Sequence, residues 1–327
     1  MSVEALVANS IQFGWRVPDF PEVMLPDPHQ RAQLLREQIF NYMDTIQDGL
    51  DSAWVGDHFF PWPAAEAMDQ SLDTHEPWTI MTYLLSRYPP LHMGTIVLSQ
   101  SYRPPAFMAK AAAVLQWLSG GRLIFGIGAG WKENEYRAYG YDFPPNPVRL
   151  AQLEEYVQIL RKMWTEESPT FHGKYYRIDN AYCAPRPNPA PLLLIGGAGP
   201  KVTLRIVAQY ADLCNLNGFD LEKCRSRLDT LRQHCLAVGR DYNSIGITYS
   251  NDCVAVAPTH AEAERVTSAS FFRHGTQMIG TPDEVAAQIQ ALVDLGVTHF
   301  IFRFVDFPRL DGVKLFMEQV MPRWHSS

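Results

Sequence analysis

Short apolar runs alternate with longer amphipathic stretches along the chain. The runs are Ala5–Phe13, Ala53–Gly56, His92–Leu98, Leu123–Gly128, Leu192–Gly197, Leu213–Asn217, Gly246–Val256 and His299–Phe304. Several, such as Leu123-Ile124-Phe125-Gly126-Ile127, are apolar without alternation. A strand covered on both faces in a parallel sheet has that pattern. Between the runs lie helices. Leu150, Leu153, Val157, Leu160 and Trp164 fall at three- and four-residue steps, with Glu154, Glu155, Arg161 and Lys162 on the other side. Thr281 caps a helix that Pro282 opens, with Glu284 three residues after the cap and Gly296 as its stop. Gly120-Gly121 ends a helix that starts near Pro105.

Eight strands, each followed by a helical segment, predict parallel βα units closing into a (β/α)8 TIM barrel; an open doubly wound sheet is the alternative. A single domain over residues 1–327 is expected. Trp15–His29 and Thr170–Pro191 exceed a minimal barrel and read as insertions over one end of it. The composition, 46% hydrophobic and 19% charged over 327 residues, suits a large interior. A net charge of −7 gives no support to a nucleic-acid or anionic-membrane partner. No apolar stretch reaches the ~18 residues of a spanning helix, and the first residues lack a secretory pattern. Five cysteines without a C-x-x-C pair read as reduced thiols in a cytoplasmic protein.

Active sites of such barrels lie at the carboxyl ends of the strands. The second strand ends in Asp57-His58-Phe59-Phe60-Pro61-Trp62, a carboxylate and an imidazole suited to acid–base work with aromatics behind them. The structural alternative is a loop-capping aspartate and a packed histidine. Histidine spacing excludes a zinc motif, and no metal is expected. Gly126, Gly128 and Gly130 alternate at the end of the fourth strand, where backbone can approach a flat ligand. Trp131 stands where a dinucleotide fingerprint needs glycine. The fifth strand runs through Gly196-Gly197-Ala198-Gly199-Pro200-Lys201 into a helix, which predicts an anion site at the helix amino end or simply a tight turn.

Four segments, Asp51–Trp62, Gly94–Leu98, Gly120–Glu135 and Pro185–Asn215, resemble in order and spacing the bacterial luciferase-like monooxygenase superfamily. Within it, they resemble the branch that uses the deazaflavin coenzyme F420. The likeness runs over nearly the whole chain. It implies an insertion-bearing barrel that holds an isoalloxazine-type ring at the strands' carboxyl ends. The V-G-D-H-F-x-P-W segment is similar to that of F420-dependent glucose-6-phosphate dehydrogenases, which implies catalytic roles for Asp57, His58 and Trp62, Asp57 also touching the ring. Gly94–Leu98 is similar to a third-strand bulge that backs the ring, implying contacts from Thr95, Ile96 and Val97 and a cis Ile96–Val97 peptide. Gly128, Ala129 and Gly130 correspond to ring and ribityl contacts. Gly196, Gly197, Ala198 and Gly199, with Lys201, correspond to the phosphate side.

There are departures. The sugar-phosphate dehydrogenases place a catalytic glutamate directly after G-x-G-x-G, where this chain has Trp131. Their phosphate-binding lysine after the sixth strand falls near Asp220. A phosphorylated sugar is therefore not the expected substrate. The leading expectation is hydride transfer between F420 and a small, uncharged organic molecule. The alternative is a monooxygenase using reduced FMN from a separate flavin reductase, and a third is a flavin-binding barrel without catalysis. The substrate pocket is expected to be aromatic, from Phe13, Trp15, Phe59, Phe60, Trp62 and Trp131. Lys201, Arg205, Lys223 and Arg225 are expected to line a basic exit groove for the F420 tail. The resemblance also implies a homodimer.

Overall fold

The computed structural model describes residues 10–19, 25–61, 74–197, 199–218, 220–270, 272–273 and 275–324. Eight parallel strands close on themselves: β1 (Gln12–Arg16), β2 (Ser52–Val55), β3 (His92–Thr95), β4 (Leu123–Gly128), β5 (Leu192–Ile195), β6 (Leu213–Asn217), β7 (Gly246–Val256) and β8 (His299–Phe304). Each pairs with its neighbours in chain order, and β8 pairs back with β1. Helices α1 (Pro28–Ile46), α2 (Pro77–Arg87), α3 (Pro105–Leu118), α4 (Glu133–Ala138) and α5 (Asn146–Thr165) follow the first four strands. Then come α6 (Thr203–Tyr210), α7 (Leu221–Val238), α8 (His260–Ala269), α9 (Pro282–Val293) and α10 (Asp311–Leu315). The (β/α)8 barrel is as the alternation predicted. Among the described residues no helix is long and apolar enough to cross a membrane.

The helix signals hold. Thr281 and Glu284 form a reciprocal capping box, and Gly120 and Gly121 follow α3 at φ +66° and +95°. Thr170–Pro191 contains a small antiparallel hairpin, Phe171–His172 against Arg177–Ile178. The first strand differs from expectation. It runs to Arg16 instead of ending at Phe13, because Trp15 pairs in register with Ala53 of β2 and Phe302 of β8. Residues 5–9 lie outside the described residues. The pairing also settles which way the side chains point. Phe13 and Trp15 face the helices, Phe13 against Phe300 and Phe316 and Trp15 stacked on Tyr42 at 4.2 Å. Both are core residues, not pocket residues.

The barrel interior is plugged by Trp54, Ile124, Leu192, Leu194, Leu213 and Ile301. Gly14 and Gly94 flank the Trp54 indole, and a Cβ on either would run into it. The indole N–H donates to Ser52 Oγ at 2.9 Å, and Ser52 Oγ lies 2.8 Å from His299 Nε2. An indole buried this way is worth about 3–5 kcal/mol over alanine. It forms the floor of whatever sits above it.

That upper end is shaped by two bulges. β3 pairs with β4 at Met93–Leu123 and Gly94–Ile124, and pairing resumes at Leu98–Ile127 and Ser99–Gly128. Three residues on one side thus oppose two on the other. The Ile96–Val97 peptide within this bulge is cis, as the resemblance implied. Thr95 repairs the broken ladder: its hydroxyl donates to Gly126 O at 2.7 Å and accepts from Gly126 N at 2.9 Å. On the far side, the β7–β8 register slips by one residue between Asn251 and Val254, around Asp252.

Candidate active site

A cavity of about 850 Å³ opens at the carboxyl ends of the strands. It is lined by Asp57 and His58 after β2, Ile96 and Val97 on the bulge, and Gly128, Ala129 and Gly130 after β4. Gly196, Gly197, Gly199 and Lys201 complete that side before α6. These residues, scattered in sequence, meet in one place. Trp62 and Ala198 lie outside the described residues. Thr95 is a correction: it is fully buried and does not line the cavity, because its hydroxyl is spent on Gly126.

The glycines owe their identity to protein neighbours. A Cβ on Gly128 would sit 2.9 Å from a Val97 methyl, and one on Gly196 would sit 2.7 Å from both. Val97 wedges between the ends of β4 and β5 and closes the side of the barrel mouth. Gly130, at φ +75°, has Tyr136 where a Cβ would go. The Tyr136 hydroxyl in turn bonds Ser99 Oγ at 2.5 Å.

Asp57 is held on both oxygens. Oδ2 accepts from Ser99 N at 2.7 Å, and Arg103 reaches both, at 2.9 and 3.0 Å. Arg103 also pairs with Glu76 at the start of α2. Burial pushes the Asp57 carboxyl above its ordinary value, and Arg103 only partly offsets this. A carboxylate tied this way pins the bulge to β2.

His58 is different. Its Nδ1 lies 3.1 Å from Oε2 and 3.3 Å from Oε1 of Glu135, a residue the sequence reading overlooked. Glu135 is fully buried on α4 and gathers four other donors. Oε1 accepts from Phe59 N at 3.0 Å, Phe60 N at 2.9 Å and Lys132 Nζ at 3.1 Å, and Oε2 accepts from Tyr102 OH at 3.1 Å. Lys132 Nζ also reaches the carbonyls of Phe60 and Pro61, each at 3.3 Å. Burial raises the Glu135 carboxyl, but the bonds from His58, the Phe60 amide and Lys132 outweigh it and hold the group ionised, below its usual range. The only sequence signal was a pair of carboxylates, Glu133 and Glu135, in one short helix.

The remaining wall comes from β1, β6 and β7, and it is polar. Arg16 Nη1 contacts both oxygens of Asp252 at 2.7 Å. Beside them Ser250 Oγ donates to Asn217 Oδ1 and accepts from Asn215 Nδ2, both at 3.1 Å. Arg303 and Asp19 lie behind, 3.4 Å apart and almost wholly buried, so the cluster carries two charges of each sign. This corrects the aromatic pocket. Phe59 stacks on Tyr102 and packs on Tyr139, which Phe60 also meets, and neither phenylalanine lines the cavity. Trp131 does line it, 58% exposed and edge-on to His58 at 5.7 Å. The basic groove shrinks too. Arg205 is forked onto Glu154 at 2.6 and 2.8 Å, and of the four cations only Lys201 lines the cavity.

Comparison with known proteins agrees with the barrel. An F420-dependent glucose-6-phosphate dehydrogenase of Kineococcus radiotolerans is 32% identical over 78% of this chain and 83% of its own. An FMNH(2)-dependent dimethylsulfone monooxygenase of Pseudomonas putida is 25% identical over 76% of this chain and 78% of its own. In fold, the chain is similar to an F420-dependent secondary alcohol dehydrogenase solved with an F420–acetone adduct. The TM-score is 0.78 at 20% identity, over 97% of this chain and all of that one. Residues 45–277 match the luciferase-like monooxygenase family, and with its closed parallel barrel and bulged third strand this chain belongs to that family.

Proposed function

We propose that the protein is an F420-dependent oxidoreductase that moves a hydride between the coenzyme and a small, uncharged, polar substrate. The observation that carries this reading is the cavity itself. One side offers the Ile96–Val97 bulge as a backing for a flat ring, and the other offers His58 beside a charge-balanced wall. The F420-dependent relative supports the choice of coenzyme.

The residues fit such a group. The bulge leaves Ile96 and Val97 against the cavity, with Gly128 and Gly196 beside them, so a ring would meet backbone and small apolar groups. α6 begins without a side-chain cap and without an acidic residue in its first turn, and Lys201 stands just before it. A phosphate suits that helix end. When bound, the deazaflavin supplies the hydride-carrying carbon. His58 takes the proton from a substrate hydroxyl as hydride leaves, or delivers one to a carbonyl oxygen as hydride arrives. Asp57 fixes the bulge through Ser99, and Arg103 forks onto both of its oxygens. Arg16, Asp252 and Asn217 orient the substrate's polar groups, and their balanced charge disfavours a net charge on it.

A reduced-FMN monooxygenase working with a separate flavin reductase is the second reading, favoured by the dimethylsulfone relative. A fluorescence titration of the apoprotein with F420 and FMN in parallel separates them. Tighter binding of F420 is expected. Equal or tighter FMN binding, with oxygenation when a reductase is added, overturns the proposal in favour of the second.

A further inference from the structure

Asp57 and His58 were the residues that sequence singled out, yet the most densely bonded group at the site is the buried carboxylate behind them. Its donors divide unequally. Oε1 takes two backbone amides and the Lys132 ammonium, none of which can accept a hydrogen bond. Oε2 takes Tyr102 OH and is the nearer oxygen to His58 Nδ1, 3.1 Å away against 3.3 Å for Oε1. An ionised carboxylate only accepts, so Nδ1 must carry the proton, which makes Nε2 the basic nitrogen of the neutral ring.

From this geometry we infer that Glu135 is the positioning residue of the site, fixing His58 as the Nδ1–H tautomer with Nε2 as the proton acceptor. The inference rests on the proposed acid–base role of His58 only for its significance; the tautomer itself follows from the donor set. Glu135 does more than orient one ring. Together with Lys132 it grips the segment after His58 from both sides, the carboxylate taking the amides of Phe59 and Phe60 and the ammonium taking the carbonyls of Phe60 and Pro61. The same carboxylate thus holds the imidazole through Nδ1 and the loop that carries it through the backbone.

The isosteric variant Glu135→Gln gives a sharp test. Three pure donors surround the Oε1 position, so the glutamine carbonyl must sit there, and its NH₂ then takes the Oε2 position opposite His58. Tyr102 can reverse its hydroxyl to accept, and the NH₂, the nearer group to His58 Nδ1 at 3.1 Å against 3.3 Å for the carbonyl, turns Nδ1 into an acceptor. The ring should therefore switch to the Nε2–H form. An asparagine placed behind a catalytic histidine in serine proteases imposes the wrong tautomer in the same way, at a cost of about 10⁴ in kcat.

The measurement is ¹⁵N NMR of the imidazoles in the coenzyme-free protein at alkaline pH, with His58→Gln assigning the signal. Wild type should show a protonated, pyrrole-type Nδ1 and a pyridine-type Nε2, and Glu135→Gln should exchange the two. Because Lys132 loses its partner, the double variant Lys132→Met/Glu135→Gln removes the ion pair as a unit should the single variant fold poorly. An Nε2–H tautomer in the wild type overturns the inference, as does an unchanged tautomer in the variants. Neither result depends on which coenzyme binds, so a failed F420 titration would sink the functional proposal and leave this one standing.

Discussion

Thr95→Val removes a hydroxyl and keeps the shape of the side chain. The resemblance placed Thr95 among the coenzyme contacts, whereas the structure makes it a strut between β3 and β4. Its Oγ1 replaces the main-chain partner that the bulge takes from Gly126, accepting from the N–H at 2.9 Å and donating to the carbonyl at 2.7 Å. Valine would leave both groups buried without a partner. At about 1–3 kcal/mol for each of the two orphaned groups, the loss is about 2–6 kcal/mol. For a chain of this size that is a fall in Tm of roughly 3–9 °C. Thr95→Ser keeps both bonds, loses only a methyl and should stay within about 1 kcal/mol of wild type. Thermal unfolding by circular dichroism, with urea midpoints as a second measure, reads the difference. The reasoning is refuted if valine lies within about 0.5 kcal/mol of wild type, a change typical of an unremarkable surface site. A residue that touched coenzyme alone would give the reverse result, normal stability with weakened coenzyme binding.

His58→Ala should lower turnover by about 10²-fold or more while F420 affinity and Tm stay near wild type, since Glu135 keeps its four other donors; unchanged turnover would make the ring structural. Two buried histidines should make the barrel acid-labile. Burial pushes His299 down to about 3 and His92 to about 4, against about 6.5 in an unfolded chain. Both favour the neutral form in the folded state, so their stabilisation is complete above about pH 6.5. It is lost as pH falls, because the unfolded chain takes up protons that the folded one refuses. Between about pH 6 and 4 the two together steepen the stability profile by up to about 2.7 kcal/mol per pH unit. The variant His92→Gln/His299→Gln should flatten that slope in urea unfolding series, and an unchanged slope would locate the acid lability elsewhere.

The barrel was legible because its strands are covered on both faces and its helices carry punctuation that acts locally: proline at the first turn of α9, paired glycines after α3. β1 was misplaced because the proline-rich stretch after it suggested a loop, whereas its true extent is set by partners hundreds of residues away in β8. With the strand placed correctly, the two-residue alternation of Gln12, Gly14 and Arg16 would have directed the arginine into the mouth. Glu135 and Asp252 left weaker traces. One sits on a six-residue helix too short to show periodicity, and the other is aimed inward by a one-residue slip in register. Neither can be seen without knowing what lies across the barrel. Arg205 shows the opposite error: a cation near a proposed anion site looked useful until Glu154 was found to hold it.

Val97 gives the glycine-rich segments a different meaning. Gly128 and Gly196 stand some seventy positions apart, at the ends of different strands, yet each is hollowed by the same isopropyl group. Their spacing is the cast of one side chain. In homologous chains the three positions should therefore vary as a set, alanine appearing at 128 or 196 only where residue 97 has shrunk. A designer wishing to reshape the coenzyme side of this mouth has one coordinated adjustment to make, beginning at position 97 and ending at the two glycines that record its size.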